Sequence, residues 1–203
     1  TMDELLLLIL CSPSGAGKTT LTRHLLHELP ALTFSVSHTT RPPRGAETNG
    51  EAYHFVDREA FEAMAAEGRF AEWAEVHGHL YGTSKDQLRR ARQAGRRGVV
   101  FDIDHQGARQ LKAELPDAVG IFVLPPSLQE LRRRLEGRGT DAPEVIERRC
   151  AIALDEIAHY PSFDYLVVND DLDEAKRDVV SIARAELARR RRVAPHAERL
   201  LRG

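Results

Sequence analysis

The strongest constraint on the fold lies near the start of the chain, where an unbroken apolar run from Leu5 to Leu10 stops at Ser12-Pro13-Ser14-Gly15. Leucines then recur at helical spacing, at Leu21, Leu25, Leu26 and Leu29, until Pro30 ends the pattern. An apolar run without polar alternation predicts a strand covered on both faces, the environment of a parallel sheet. The order is therefore strand, glycine loop, helix. The strand signature recurs at Val99-Val100-Phe101 ending in Asp102, at Gly120 to Leu124 (GIFVL) before Pro125-Pro126, and at Tyr165 to Val168 (YLVV) before Asn169-Asp170-Asp171. Ser84 with Gln87, and Ser127 with Glu130, are spaced as capping boxes that open helices between these strands. Strands alternating with helices predict an α/β core built on a parallel sheet with crossovers.

Composition agrees with one substantial core. The chain has 203 residues, 42% hydrophobic and 30% charged, which excludes intrinsic disorder and leaves room for an inserted lobe. A formal net charge of -2 gives no general attraction to nucleic acid or anionic lipid, so neither is expected as a partner. The longest apolar run, Leu5 to Cys11, falls far short of the roughly 20 residues that span a bilayer. Asp3 and Glu4 precede it where a secretory signal carries cations, so a cytoplasmic location is expected. Cys11 and Cys150 are too few for a disulfide framework or a thiolate metal cage, and both are expected to be buried apolar residues.

Two stretches interrupt the alternation. Residues 35–82, rich in Thr, Arg, Pro, Gly and aromatics, read as an inserted lobe with one short helix from Asp57 to Gly68. Gly137 to Pro143 (GRGTDAP) has the composition of a lid and lies between helices bearing Arg132, Arg133, Arg134, Arg138, Arg148 and Arg149. A last helix is expected from about Leu172 to Arg191. The run Arg189 to Arg192 reads as its solvated C-terminal end, where cations complement the helix dipole.

Ser12-Pro13-Ser14-Gly15-Ala16-Gly17-Lys18-Thr19 fits the Walker A pattern except that Ser12 stands in place of the first glycine. After a buried strand and before a helix, its backbone N–H groups can converge on a polyphosphate. Lys18 is then expected at the β- and γ-phosphates and the Thr19 hydroxyl on Mg²⁺. Asp102, at the C-terminal end of its strand, faces the crevice where parallel sheets bind ligands, and there it can hold the hydration shell of the metal or a substrate donor. Asp104 reads equally well as a helix cap. Arg41 and Arg44, stiffened by Pro42 and Pro43, suit capture of a small phosphate dianion, with the Tyr53 and Tyr81 hydroxyls as further donors.

With these positions in view, the chain resembles the guanylate kinase family. The resemblance rests on Ser35 to Arg44 (SVSHTTRPPR), Asn49 to Phe55 (NGEAYHF), Phe70-Ala71-Glu72-Trp73, Tyr81-Gly82-Thr83, Asp102-Ile103-Asp104 with Gln106-Gly107, Leu135 to Thr140 (LEGRGT) and Val168 to Asp171 (VNDD), in family order. It implies a P-loop kinase core of residues 1–34, 83–126 and 157–192, a GMP-binding lobe of 35–82, an ATP lid of 127–156 and a tail of 193–203. By matching position, Ser12 to Thr20 and Asn169 would hold ATP. Arg41, Arg44, Tyr53 and Tyr81 would hold the GMP phosphate, with Ser37, Glu72 and Thr83 on the base and Asp102 nearby. Lys18, Arg41, Arg138 and Arg149 would carry the chemistry, transfer of the ATP γ-phosphoryl to GMP or dGMP with Mg²⁺. No obligatory protein partner is implied.

Glu72 fits on physical grounds as well. Guanine presents two adjacent donors, N1–H and the N2 amino group, whereas the bare N1 of adenine repels a carboxylate. The discrimination available is on the order of 10³-fold. Against the usual family pattern, Gly45 and Ala46 are exchanged, which predicts strain at Ala46 if the turn needs a positive φ there. Gly95 to Asp102 is also one residue longer than usual. Two other readings stay open: a non-catalytic module of the same shape that binds phosphorylated peptides, and a P-loop kinase with another phosphorylated acceptor. The first has no use for Lys18 and Thr19, and the second offers Glu72 no paired donor edge.

Overall fold

Strand β1 (Leu6–Cys11) lies at the centre of a five-stranded sheet in the order β2 (Leu32–Phe34), β7 (Gly98–Asp102), β1, β8 (Val119–Leu124), β9 (Tyr165–Val168), and every pairing in it is parallel. The computed structural model describes residues 5–76, 78–137 and 142–203. The apolar run at β1 is explained by its two covered faces. Leu6, Leu8 and Leu10 join Leu21 and Leu25 of α1 (Lys18–Glu28) and Val179 and Ala183 of α7 (Leu172–Leu187) in one cluster. Leu7 and Ile9 point the other way, to Leu88 of α3 (Lys85–Gln93) and Leu111 of α4 (His105–Glu114). Each such side chain contributes about 1.5–3 kcal/mol by leaving water.

The expected strands are all present, and β2 is an addition. At three residues on the sheet edge it is too short to give a periodic signal. Because the strands run parallel, the segments after Cys11, Asp102, Leu124 and Val168 emerge at one edge of the sheet, where ligands of such sheets bind.

Between β2 and α3 the chain builds a second sheet, in the order β4 (His54–Phe55), β3 (His38–Thr39), β6 (His79–Ser84), β5 (Phe70–Val76). Helix α2 (Arg58–Ala66), capped by Asp57, packs Phe61 on Phe70 with ring centroids 4.5 Å apart. Phe61, Phe70 and Leu80 form this sheet's own small core. Strand β6 continues through Thr83 to Ser84 before α3 begins.

The two capping boxes form by halves. Ser84 accepts from the Asp86 amide and Ser127 from the Glu130 amide, each at 3.1 Å. The reciprocal bonds are absent among those described: Gln87 donates to the Val36 carbonyl, and Glu130 pairs with Arg133 and Arg134. Helix α5 (Leu128–Glu136) packs on α6 (Pro143–Ile157) through Leu131, Leu135, Ile146 and Ala153. Arg138, with most of the expected lid loop, lies outside the described residues.

Two expectations need correction. Helix α7 ends at Leu187 and a separate helix, α8 (Arg190–Arg202), follows, so the arginine run lies at a junction of two helices; Arg189, Arg190 and Arg191 are exposed as expected, and Arg192 is not. Arg189 occupies the cap of α8, and Arg192 is buried with Nη1 donating to the Glu186 carbonyl at 2.9 Å and lying 3.3 Å from the Glu186 carboxylate. The cause is Glu186, 1% exposed, a buried carboxylate that must be paired. Cys150 is only partly buried, whereas Cys11 is buried in β1, where burial pushes its thiol pKa up to about 12. No helix among the described residues is long and apolar enough to cross a membrane.

Candidate active site

The loop from Ser12 to Gly17 turns on two left-handed glycines, Gly15 at φ 88° and Gly17 at φ 94°. Gly17 is also the N-cap of α1 and supplies no side chain to it, so the first N–H groups of the helix remain available to a ligand. Apart from Ala16, the residues from Ser12 to Thr20 line a cavity of about 450 Å³. Asp104 and Glu156 close its other side. Ala16 is fully buried, and its carbonyl accepts a hydrogen bond from Asn169 at 2.7 Å.

A second cavity, of about 190 Å³, is lined by Ser37, Tyr53, Glu72, Tyr81 and Asp102, with Ile103 beside them. Lys18 and Asp104 line this cavity as well as the first. The two spaces therefore meet at Lys18. Its Nζ forms an ion pair with Asp102. Burial works against the Lys18 charge, but the Asp102 carboxylate more than offsets it and the pKa is raised.

Strand pairing positions the Glu72 end of this cavity. Glu72 on β5 is in register with Thr83 on β6, just past a bulge after Phe70. The Thr83 hydroxyl donates to Glu72 Oε1 at 2.5 Å. Burial pushes the Glu72 carboxyl pKa up to about 7, against the lowering effect of the Thr83 bond. Gly107 near the start of α4 lies under the carboxylate, so close that a Cβ there would sit 2.8 Å from Glu72 Oε2. Asp104, one residue before that helix, caps it by accepting from the Gly107 amide at 2.8 Å, so its cap role and its place on both cavities coexist.

At the other end, Arg41 is buried and fixed by two acceptors, the Pro42 carbonyl and Glu47 Oε1, each at 2.9 Å. Its guanidinium lies 5.3 Å from the centre of the Tyr53 ring. Glu47 also accepts from the Arg44 amide, and the Arg41 bond holds the Glu47 carboxyl below its ordinary pKa. The Arg44 side chain is exposed at the edge of this turn. The left-handed residue of the turn is Gly45, φ 54°, so in the exchanged Gly45-Ala46 pair the glycine stands where the backbone is left-handed.

The structure thus gathers Lys18, Ser37, Tyr53, Glu72, Tyr81 and Asp102 around one space, while Thr83 reaches it through Glu72. Arg149, half-buried on α6, lies seven residues before Glu156 and hence on the face of the helix that closes the first cavity. Glu47, Gly107 and Glu156 were not singled out in the sequence. Glu47 acts through Arg41 and the Arg44 amide, Gly107 through shape although it stands inside a quoted motif, and Glu156 through its place on a cavity built by residues far away in the chain. The oxygen donors around the first cavity, Thr19 hydroxyl with Asp104 and Glu156 carboxylates, suit a hard cation such as Mg²⁺. No group of three or more His, Cys, Asp or Glu side chains among the described residues could hold a metal by itself. A cation at this position would therefore share its coordination with phosphate oxygens and water.

The family model described as guanylate kinase matches residues 5–186. The chain is 50% identical over 192 residues to a guanylate kinase of Thiobacillus denitrificans, covering 94% of this chain and 91% of that protein. It is 52% identical over 187 residues to a guanylate kinase of Sphingopyxis alaskensis, covering 92% and 84%. The crystal structure of guanylate kinase from Anaplasma phagocytophilum superposes with a TM-score of 0.75 at 35% identity, over 93% of this chain and 89% of that one.

Proposed function

The chain belongs to the guanylate kinase family, and from that premise and the two abutting cavities we propose that it transfers the γ-phosphoryl of ATP to GMP or dGMP, giving ADP and GDP or dGDP. The observation that carries this reading is that Lys18 lines both cavities. A polyphosphate gripped by the loop amides and a nucleotide seated on Glu72 would meet at that ammonium group.

Direct in-line transfer needs little else. The accepting phosphate oxygen is already ionised at neutral pH, so no general base is required, and catalysis reduces to alignment and charge. Lys18 exchanges its Asp102 partner for phosphate oxygens and follows the charge as it moves. Arg41, preset by Glu47, clamps the GMP phosphate with Arg44, Tyr53 and Tyr81. Arg149 approaches from α6, and Arg138, outside the described residues, is expected to act with it. Mg²⁺ bound near Thr19, Asp104 and Glu156 would neutralise charge on the donor phosphates. Closure of lobe 35–82 and lid 127–156 over the core excludes water, which otherwise would accept the phosphoryl group. The reaction belongs in the cytoplasm, with its nucleotide substrates.

A coupled assay with ATP and a panel of GMP, dGMP, AMP, UMP and ribose phosphates tests the reading. GMP and dGMP are expected to be turned over, and AMP on the order of 10³-fold more slowly in kcat/KM. Turnover of a sugar phosphate, or of AMP at the GMP rate, would reject it.

A further inference from the structure

We propose that Asn169 is a positioning residue that keeps the phosphate loop in its anion-binding shape, and that Arg134 ties this brace to helix α5. The inference rests on the first cavity being the polyphosphate site. Asn169 follows β9 directly and is buried, 4% exposed. Its backbone N–H donates to the Leu124 carbonyl at 2.8 Å, which anchors it to the end of β8. Its side-chain Nδ2 donates to the Ala16 carbonyl at 2.7 Å.

Ala16 sits between the two left-handed glycines, in the one stretch of the loop whose peptide planes can rotate most easily. A loop that binds an anion through N–H groups must keep its carbonyls turned away from it. Asn169 supplies a donor for the Ala16 carbonyl in the buried orientation; without that donor, rotating the peptide toward the cavity would rehydrate the oxygen and aim it at the phosphates. The fit is close, since a Cβ on Gly17 would lie 2.4 Å from Asn169 Nδ2. Glycine at that position is thus required by the brace as well as by its φ of 94°. The Asn169 carbonyl in turn accepts from Arg134 Nη2 at 2.9 Å, and Arg134 Nε is held by Glu130 at 2.9 Å. Helix α5, which leads toward the residues between α5 and α6, is therefore hydrogen-bonded to the residue that holds the loop.

A residue that only touches the nucleoside and a residue that shapes the loop differ toward a ligand without a nucleoside. The test measures binding of magnesium tripolyphosphate, ATP and GMP by calorimetry to the wild-type chain, Asn169→Ala and Arg134→Met, with thermal melts to confirm folding. Asn169→Ala is expected to weaken tripolyphosphate and ATP by the same factor, on the order of tenfold, with GMP within about twofold. Arg134→Met is expected to weaken both polyphosphates about threefold, and to add nothing in the Asn169→Ala background. Loss of ATP affinity with tripolyphosphate unchanged would make Asn169 a nucleoside contact and overturn the proposal, as would unchanged affinity for both. If Asn169→Ala fails to fold, equal tripolyphosphate affinity of wild type and Arg134→Met overturns it instead. Wild-type protein that binds neither polyphosphate would refute the functional reading itself, and this inference with it.

Discussion

At the scale of single residues, burial keeps the Glu72 carboxyl protonated up to about pH 7, whereas reading a guanine edge requires it ionised. Its ordinary pKa of 4.5 applies in the unfolded chain, so between pH 4.5 and about 7 the folded state binds the extra proton. Stability therefore falls as pH rises through that window, and above it the ionised group costs roughly 3 kcal/mol. Glu72→Gln is expected to raise the melting temperature at pH 8 and to leave it unchanged near pH 4, as read by calorimetry. The same variant should bind GMP more weakly, which separates recognition from stability at one atom. On the proposed reading Gly107 would serve recognition through shape. With a Cβ only 2.8 Å from Glu72 Oε2, Gly107→Ala must displace a carboxylate already held by Thr83. The expected result is a GMP KM about tenfold higher with the ATP KM within twofold, measured by steady-state kinetics; an unchanged GMP KM would reject the positioning argument.

At the scale of elements, what could be read in advance followed from whether a signal was local. β1, β7 and β8 were legible because core strands of a parallel sheet show apolar runs, β9 because it is apolar as well although it lies at the sheet edge with Leu166 and Val168 exposed, and the phosphate loop because its residues are contiguous. β3 and β4 are two residues each and held largely by their neighbours, and the longer β5 and β6 carry polar residues and glycine among their apolar ones, so the second sheet left only an irregular composition behind. The brace between Asn169 and Ala16 spans 153 positions and has no local trace. Within the arginine run Arg192 misled because charge usually means solvent, and nothing near it in sequence announces that Glu186 is buried. That junction of α7 and α8 carries its own prediction. Arg192→Ala leaves the Glu186 carboxylate with Arg189 and Tyr165 but without its buried cation. A loss of about 3 kcal/mol in urea unfolding is expected, with most of it recovered in Glu186→Leu/Arg192→Met, because a missing pair costs less than a stranded charge. Phosphoryl transfer at saturating substrate should be unaffected in the folded single variant.

At the scale of the whole molecule, two cavities share Lys18 and Asp104, and the proposed reading makes them one extended site for two nucleotides placed end to end. A compound joining adenosine and guanosine through a chain of five phosphates should therefore bind at least about 10²-fold more tightly than ATP or GMP alone, since the second contact becomes intramolecular. Calorimetric titration checks this, and additive, independent binding of the two nucleotides with no gain on linkage would argue for separated sites. The position of β1 in the sheet has a different kind of consequence. Its partners are β7 and β8, so Leu6 waits for Gly98, and Leu8 for Val119, before either edge is satisfied. During synthesis the apolar β1 thus precedes both of its strand partners and stays without them until β7 and then β8 have followed. Newborn copies are a natural client for chaperones that shield such segments, and slow, topology-limited maturation is built into the strand order.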